Sequence, residues 1–152
     1  MRSEDEKYAS MKLNYKVAGT GQPLIILHGL FGMLDNWGSI GRELSKYYTV
    51  YLVDQRNHGK SPHSMDFNYD LLAEDIKEFM TEVGLEKAHL IGHSMGGKSV
   101  MRFAQKYPAK CYSIMVIDIA PKAYAPGHNE IFNAIESMDL WLSQIEKRPI
   151  HS

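Results

Sequence analysis

Gly92-His93-Ser94-Met95-Gly96-Gly97-Lys98-Ser99 is the stretch that decides the fold, and it matches two unrelated motifs at once. Its first five residues are G-x-S-x-G, the sharp turn between a strand and a helix that presents a nucleophilic serine. All eight residues also match G-x-x-x-x-G-K-[ST], the phosphate-binding P-loop. Both motifs require a strand before them and a helix after them. The octapeptide therefore predicts a strand–turn–helix unit, and the rest of the chain has to separate the two functions.

The segments around this stretch predict an α/β fold with a mostly parallel sheet and flanking helices. Short apolar runs bounded by turn residues are typical of buried strands, and apolar residues three or four positions apart are typical of helices. The predicted strands cover residues 11–18, 24–27, 48–53, 88–91 and 113–119, and the predicted helices cover residues 35–47, 72–83 and 99–107. Strands that alternate with helices through short connections favour parallel pairing.

Candidate functional residues stand where the predicted strands end. Ligands of parallel α/β sheets bind beyond the carboxyl ends of the strands. The residues at such ends are His28-Gly29, Asp54, Ser94 and Asp118. The sequence therefore predicts that these residues share one edge of the sheet.

The composition limits which classes of protein the chain can belong to. The chain has 152 residues, 44% of them hydrophobic and 23% charged, which suits one domain with its own core. A net charge of −1 gives no basic field, so neither nucleic acid nor a membrane surface is expected as a partner. The single cysteine, Cys111, fits a reducing compartment. The charged N-terminus does not resemble a signal peptide and the apolar runs are too short to span a bilayer, so a cytoplasmic protein is expected.

A second motif upstream favours the serine nucleophile. His28-Gly29-Leu30-Phe31-Gly32 follows a buried strand, where a serine hydrolase places the loop that stabilises a developing oxyanion. That role needs two backbone amides, and the predicted donors are Leu30 and Met95, the residue after the nucleophile. The P-loop stays an alternative, because Ile114-Met115-Val116-Ile117-Asp118 resembles a strand that ends in a magnesium-binding aspartate. P-loops usually open their fold, however, whereas two buried strands, at 24–27 and 48–53, and two helices precede this octapeptide and its own strand.

Two further stretches complete a family resemblance. Asn57-His58-Gly59-Lys60-Ser61-Pro62 follows the strand at 48–53, and Met95-Gly96-Gly97-Lys98 extends the G-x-S-x-G turn. With the motifs above, these residues resemble the α/β-hydrolase superfamily, in particular its YbfF-type acyl esterases, which are related to the abhydrolase-domain proteins. The resemblance implies hydrolysis of short-to-medium acyl esters or thioesters by a serine nucleophile, with a small ester or thioester as partner and no cofactor.

Ser94 is the predicted nucleophile, and its weak hydroxyl needs a histidine base that a carboxylate orients. The resemblance implies Asp118 as this acid, at the end of the strand after Ser94. Asp54 is a weaker candidate that is expected to fix the turn following it. The base is not evident, since His128 and His151 are the histidines after Asp118 and neither stands in a position that predicts a base.

The remaining candidates are less specific. His28 and His93 are expected to pack or hydrogen-bond locally, and no histidine pair has metal-ligand spacing, so no metal site is expected. The candidates for a substrate pocket are Phe31, Met33, Met95 and Tyr124.

The sequence predicts the N-terminal part of an α/β-hydrolase fold that lacks its last strands. Residues 1–10 are expected to be a disordered leader, residues 11–120 the hydrolase core, and residues 121–152 the start of a cap region and a tail. Missing strands would leave a sheet edge uncovered, which favours self-association. Two alternatives stand beside the esterase: a hydrolase fragment without activity that acts as a binding piece, and a P-loop NTPase.

Overall fold

Strands and helices alternate along residues 11–119, the part of the chain that the structure, a computed structural model, describes. The strands are β1 (Tyr15–Ala18), β2 (Gln22–Leu27), β3 (Tyr48–Val53), β4 (Ala88–His93) and β5 (Cys111–Ile117). The α-helices are α1 (Gly38–Leu44), α2 (Tyr69–Glu82) and α3 (Met95–Lys106), and 3-10 turns cover Leu34–Trp37 and Pro108–Lys110. None of these three α-helices is long and apolar enough to cross a membrane.

The five strands form one sheet in the order β1-β3-β2-β4-β5. β1 is antiparallel to β3, whereas β2 with β3, β2 with β4 and β4 with β5 are parallel pairs. The predicted α/β fold with a mostly parallel sheet is therefore confirmed. β3 lies on one side of β2, and β4, the next strand along the chain, lies on the other side, so the strand order reverses at β2. The crevice between the loops after β2 and β4 is thus the place where open α/β sheets bind ligands.

Two apolar clusters cover the two faces of the sheet. On one face Ile25 of β2 packs with Phe79 of α2 and Phe103 of α3, each at most 1% exposed. On the other face Ile26 of β2 packs in a cluster with Trp37, which precedes α1. Burial of one large apolar side chain contributes about 1.5–3 kcal/mol. These clusters hold the ends of β2 and β4, and hence the loops that follow them, in fixed positions.

Several boundaries differ from the prediction. The first strand starts at Tyr15 and not at residue 11, because Asn14 bonds to the loop after β3 instead. The helix predicted over 35–47 is a 3-10 turn followed by α1, which ends at Leu44 as the last turn tightens before β3. The helix predicted from residue 99 starts at Met95. Its first turn contains Gly96-Gly97, which are weak helix formers and hide the helical pattern.

Candidate active site

Ser94 is the whole connection between a strand and a helix. β4 ends at His93 and α3 begins at Met95. The backbone of Ser94 has φ 53° and ψ −114°, a conformation that a residue with a side chain adopts only when its surroundings enforce it. A strained turn of this kind presents a side chain above the carboxyl end of the sheet, and Ser94 is half-buried there.

Gly92 and Gly96 permit this turn, because neither position has space for a side chain. A Cβ on Gly92 would lie 2.2 Å from Gly96 O. A Cβ on Gly96 would lie 2.5 Å from Leu27 O and 2.6 Å from His28 O. The first turn of α3 is therefore in direct backbone contact with the end of β2, and the two glycines of the motif are required by that packing.

The same geometry excludes the P-loop. A P-loop directs several backbone amides at a phosphate from an extended loop, whereas this octapeptide consists of a strand end, one turn residue and a helix. Lys98 N donates to Ser94 O at 3.2 Å, as expected in a first helical turn. The Lys98 Nζ lies 5.7 Å from the centre of the Tyr69 ring. The match at Lys98-Ser99 is a coincidence of sequence, and the NTPase hypothesis is wrong.

The loop after β2 lies against Ser94. A Cβ placed on Gly29 would be 3.4 Å from Ser94 Cβ and 2.9 Å from His93 Nδ1. Glycine therefore allows the loop to approach the elbow more closely than another residue would. The motifs at His28–Gly32 and Gly92–Gly96 are therefore neighbours in the fold.

The predicted oxyanion donors, the amides of Leu30 and Met95, lie on the loop after β2 and at the first residue of α3. The two amides that follow Leu30 are engaged, since Phe31 N donates to His58 Nε2 at 3.2 Å and Gly32 N donates to a loop carbonyl at 3.0 Å. Met95 is the first residue of α3, and the first amides of a helix have no acceptor within it.

Asp118 stands beside Ser94 at the end of the next strand. β4 and β5 pair so that His93 is opposite Ile117, and Ser94 N donates to Ile117 O at 3.0 Å. β5 ends at Ile117, two residues earlier than the strand predicted over 113–119, and Asp118 follows it with φ 59°. The Asp118 side chain is 39% exposed. The fold brings the predicted nucleophile and the predicted acid to neighbouring strand ends.

His93 is buried next to this acid without a hydrogen bond. Neither of its ring nitrogens has a hydrogen-bond partner within the described residues. Its Nε2 lies 3.9 Å from Asp118 Oδ2, which is too far for a hydrogen bond. Burial lowers the pKa of His93, and the Asp118 carboxylate opposes that shift. Its ring centre lies 6.1 Å from that of Trp37, so His93 packs locally, as expected.

No histidine within residues 11–119 forms a hydrogen bond with Ser94. His28 and His58 use both ring nitrogens in other contacts, His89 bonds to side chains of neighbouring strands, and His63 is exposed. The remaining predicted candidates, His128, His151 and Tyr124, lie outside the described residues.

The loop after β3 holds the loop after β2 in place. The Asp54 carboxylate accepts hydrogen bonds from Leu34 N at 2.7 Å, Lys60 N at 3.0 Å and Asn14 Nδ2 at 2.9 Å. Burial opposes the ionisation of Asp54, yet these three bonds keep its pKa below the usual value. Asp54 therefore fixes the turn after β3, as the sequence predicts, and also ties this turn to the preceding loop.

Gln55 connects the parts of the site, although no motif or periodicity in the sequence predicts this role. Its backbone N–H donates to His28 Nε2 at 3.0 Å, and its side-chain amide donates to His28 O at 2.7 Å. Its Oε1 accepts a hydrogen bond from Ser99 Oγ of α3 at 2.9 Å. Burial lowers the pKa of His28 to about 4, so its ring is neutral and Nε2 can accept. Gln55 thus links the loop after β2 to the helix after Ser94.

A cavity of about 450 Å³ opens between the loops after β2 and β3. Its walls are formed by Leu30, Phe31, Gly32, Met33, Asn57, His58, Gly59 and Phe67. Phe31 and Met33, two predicted pocket residues, are 76% and 42% exposed there. Met95 is buried at the start of α3 and does not line the cavity, whereas the unpredicted Phe67 does. Within residues 11–119, no three His, Cys, Asp or Glu side chains are grouped to hold a metal ion.

Comparison with known proteins identifies the family. A profile described as "alpha/beta hydrolase fold" matches residues 22–146. This range covers most of the chain, and the architecture and the strand-to-helix turn at Ser94 agree with it. The protein belongs to the α/β-hydrolase family.

The similar proteins include esterases, in agreement with the resemblance to the YbfF type. The esterase YbfF of Escherichia coli is 41% identical over 135 residues, 84% of this chain and 53% of that protein. The ethanol acetyltransferase 1 of Cyberlindnera jadinii is 42% identical over 102 residues, 66% of this chain and 30% of that enzyme. A solved structure, the marine microorganism esterase, is 43% identical with a TM-score of 0.77, covering 92% of this chain and 52% of its own. The chain spans about half the length, or less, of these relatives.

Proposed function

We propose that this chain carries the nucleophile and the oxyanion donors of a serine hydrolase that cleaves carboxylic esters or thioesters through an acyl-enzyme. The observation that carries the proposal is the left-handed backbone of Ser94, alone between β4 and α3, with Gly29 against it. Relatives named as esterases support the same chemistry. Because the chain spans about half of their length, the activity of the whole protein is itself part of the proposal.

In the first step, Ser94 Oγ attacks the carbonyl carbon while a histidine base takes the hydroxyl proton. The carbonyl oxygen becomes an oxyanion, to which the N–H groups of Leu30 and Met95 donate. The intermediate then collapses: the alcohol or thiol leaves with the proton from the histidine, and the acyl group stays on Ser94. In the second step, the histidine takes a proton from water, the resulting hydroxide attacks the acyl group, and the carboxylic acid is released. Ser94 regains its proton, and no cofactor takes part.

Asp118 is the proposed acid, which orients the histidine and stabilises its charged form. Its place directly after the residue that bonds to Ser94 N supports this role. Asp54 is the weaker alternative, because three structural hydrogen bonds already use its carboxylate. The base is not assigned to a residue. Its candidates in this chain are His128 and His151, and alanine at each of them tests them separately.

Phe31 and Met33 are the proposed contacts for the acyl chain of the substrate, together with Tyr124. A volume of about 450 Å³ is within the range of small-ligand sites, and the wall is largely apolar. Each methylene that an apolar wall removes from water contributes about 0.8 kcal/mol. We therefore expect Phe31→Ala to raise KM more for a hexanoyl than for an acetyl p-nitrophenyl ester, and an equal effect on both contradicts the assignment.

Acyl transfer to an alcohol is a second candidate. The relative named ethanol acetyltransferase 1 supports it, since an acyl-enzyme that reacts with an alcohol in place of water yields a new ester. Adding ethanol to the ester assay separates the two outcomes. Formation of the ethyl ester at the expense of the free acid indicates a transferase, whereas free acid alone indicates a hydrolase.

We also propose that β5 mediates self-association, as the predicted uncovered edge implies. Tyr112, Ile114 and Met115 of this strand are 48%, 42% and 54% exposed. Adjacent apolar side chains of this size favour contact with another apolar surface. Light scattering over a concentration series tests the proposal, because a monomer at every concentration contradicts it.

Labelling of the serine is the decisive experiment. The purified 152-residue chain is treated with a fluorophosphonate probe and assayed with p-nitrophenyl butyrate. We expect labelling and turnover in the wild type and in Ser45→Ala, a control at the end of α1, and neither in Ser94→Ala. A folded wild-type chain that shows neither labelling nor turnover contradicts the proposal. That result would favour the alternative of a hydrolase fragment that acts as a binding piece.

A further inference from the structure

His58 connects the loop after β3 to the loop that carries Leu30. Its Nε2 accepts a hydrogen bond from Phe31 N at 3.2 Å, and its Nδ1 lies 2.8 Å from Arg56 O. The side chain is 9% exposed and forms part of the cavity wall. His58 is therefore bonded to the peptide group that directly follows Leu30.

The two contacts define one form of the His58 ring. A carbonyl oxygen only accepts, so Nδ1 carries the proton that is donated to Arg56 O. A backbone amide only donates, so Nε2 is the unprotonated nitrogen. Arg56 is itself fixed, because its guanidinium donates two hydrogen bonds to the buried Asp75, at 2.6 Å and 2.8 Å. The His58 ring is therefore held by Arg56, which is itself fixed, and it offers the unprotonated Nε2 as the acceptor for Phe31 N.

The loop after β2 needs a support at this point. Gly32 N donates to Gly29 O, which makes Leu30 and Phe31 the two central residues of a turn. Phe31 has φ 61° in the second central position, where glycine or asparagine is usual and a phenylalanine is strained. Its side chain is 76% exposed, so ring packing holds this conformation only weakly.

We propose that His58 is a positioning residue for the oxyanion hole, which holds the Leu30–Phe31 peptide so that Leu30 N–H is directed at the substrate oxygen beside Ser94. The inference rests on the proposed ester hydrolysis and adds to it a residue that acts through the loop. An oxyanion donor acts mainly in the transition state, so its misplacement lowers kcat more than it changes KM.

Two replacements separate the two contacts of the ring. In His58→Gln the side-chain oxygen reaches the position of Nε2 and can accept from Phe31 N. In His58→Asn the shorter amide reaches only the position of Nδ1 and can donate only to Arg56 O. We expect His58→Asn to lower kcat about 10- to 100-fold with little change in KM, and His58→Gln to restore most of the loss. His63→Asn, an exposed histidine of the same loop, is the control and keeps wild-type kinetics.

Hydrogen exchange of the Phe31 amide gives a readout that needs no activity. We expect slow exchange in the wild type and in His58→Gln, and exchange about 10-fold faster in His58→Asn. Equal exchange in the wild type and His58→Asn overturns the inference, and so do equal kcat values in an active protein. A wild-type chain without turnover and without labelling at Ser94 contradicts the proposed function instead, while the exchange rates still decide whether His58 holds the loop.

Discussion

The two strands that flank β4 differ in how well they are covered. Ile26 of β2, Ile91 of β4 and Met115 of β5 stand side by side in one row of the sheet. Ile26 is 1% exposed, whereas Met115 is 54% exposed. On the opposite face, Ile25 of β2 is fully buried and Ile114 of β5 is 42% exposed. The sheet on the β2 side of β4 is therefore core, and the sheet on its β5 side is surface in the described part of the chain.

This difference divides the candidate site into two parts. Ser94 and the proposed oxyanion donors lie on the β2 side, where glycine contacts and buried hydrogen bonds leave little freedom. Asp118 lies on the β5 side, with a partly exposed side chain. Preorganised amides stabilise a transition state only if they are rigid, whereas an acid acts through a histidine that it orients. The β2 side, which is the rigid one, therefore carries the proposed amide donors, whose geometry has to be fixed before the substrate binds.

Asp118→Asn tests whether the β5 side belongs to the site at all. In Ser-His-Asp systems, the amide replacement leaves the geometry intact but holds the wrong histidine tautomer, which lowers kcat about 10⁴-fold. We expect a loss of about 10³- to 10⁴-fold in kcat for a p-nitrophenyl ester, with unchanged urea unfolding. Asp35→Asn, at an exposed ion pair with Lys16, is the matched control. Full activity in Asp118→Asn would confine the site to the β2 side and remove Asp118 from the mechanism.

Ile26→Ala and Met115→Ala compare the two sides within one row. A buried isoleucine replaced by alanine costs about 2–5 kcal/mol of the free energy of unfolding, whereas a half-exposed methionine is expected to cost less than about 1 kcal/mol. Urea unfolding followed by circular dichroism measures both. A similar cost for the two variants indicates that β5 is covered in solution. If a second copy covers it, the cost of Met115→Ala then grows with protein concentration.

His28, on the β2 side, makes the free energy of unfolding depend on pH in the acidic range. Its pKa is lowered from 6.5 to about 4 by burial, so below pH 6.5 the unfolded chain takes up a proton that the folded chain excludes. The free energy of unfolding therefore falls as the pH drops from 6.5 to about 4, by roughly 3 kcal/mol from this group. His28→Gln keeps an acceptor near Gln55 N and removes the titration, so its stability is expected to fall less steeply over this range. Identical slopes for the variant, the wild type and His63→Gln contradict the assignment.

Local signals explain why so much of the fold was predictable. The apolar run at 48–53 coincides with β3, and the glycines around Ser94 indicate a tight turn whatever its function. The sequence alone could not separate the elbow from the P-loop inside the octapeptide. The loop at His28–Gly32 separated them, because two motifs on neighbouring strand ends are far more specific than one.

Contacts that join distant segments were not predictable from the sequence. Gln55 bonds to His28 and Ser99 across separations of 27 and 44 residues, and Phe31 bonds to His58 across 27. No periodicity or turn pattern signals such pairs, since they arise only when the sheet brings the loops together. The exposed positions of β5 were equally hidden, because its apolar run is indistinguishable from that of a fully buried strand.

Gly96 and Gly97, which are adjacent in α3, allow the rigidity of the β2 side and of the β5 side to be compared directly. A Cβ on Gly96 would meet the backbone oxygens of β2 and its loop, at 2.5 Å and 2.6 Å, and these atoms cannot move without shifting the loop that carries Leu30. A Cβ on Gly97 would meet Ile119 Cγ2 at 2.8 Å and Val116 Cγ1 at 3.0 Å on the β5 side, and also the backbone oxygen of Gly92 at 3.1 Å.

We expect Gly96→Ala to destabilise the chain by about 1–3 kcal/mol. Gly97→Ala is expected to cost less, because its contacts are longer and its two shortest ones are with side-chain methyl groups and not with the backbone. Gly38→Ala, at a helical position with no atom within 4 Å of a new Cβ, calibrates the change and should stabilise by about 0.4–1 kcal/mol. Urea unfolding of the three variants measures these differences. If Gly97→Ala costs as much as Gly96→Ala, the β5 side is as rigid as the β2 side. Asp118 would then be held as firmly as the loop that carries Leu30, and the division of the site into a fixed and a less constrained half would be wrong.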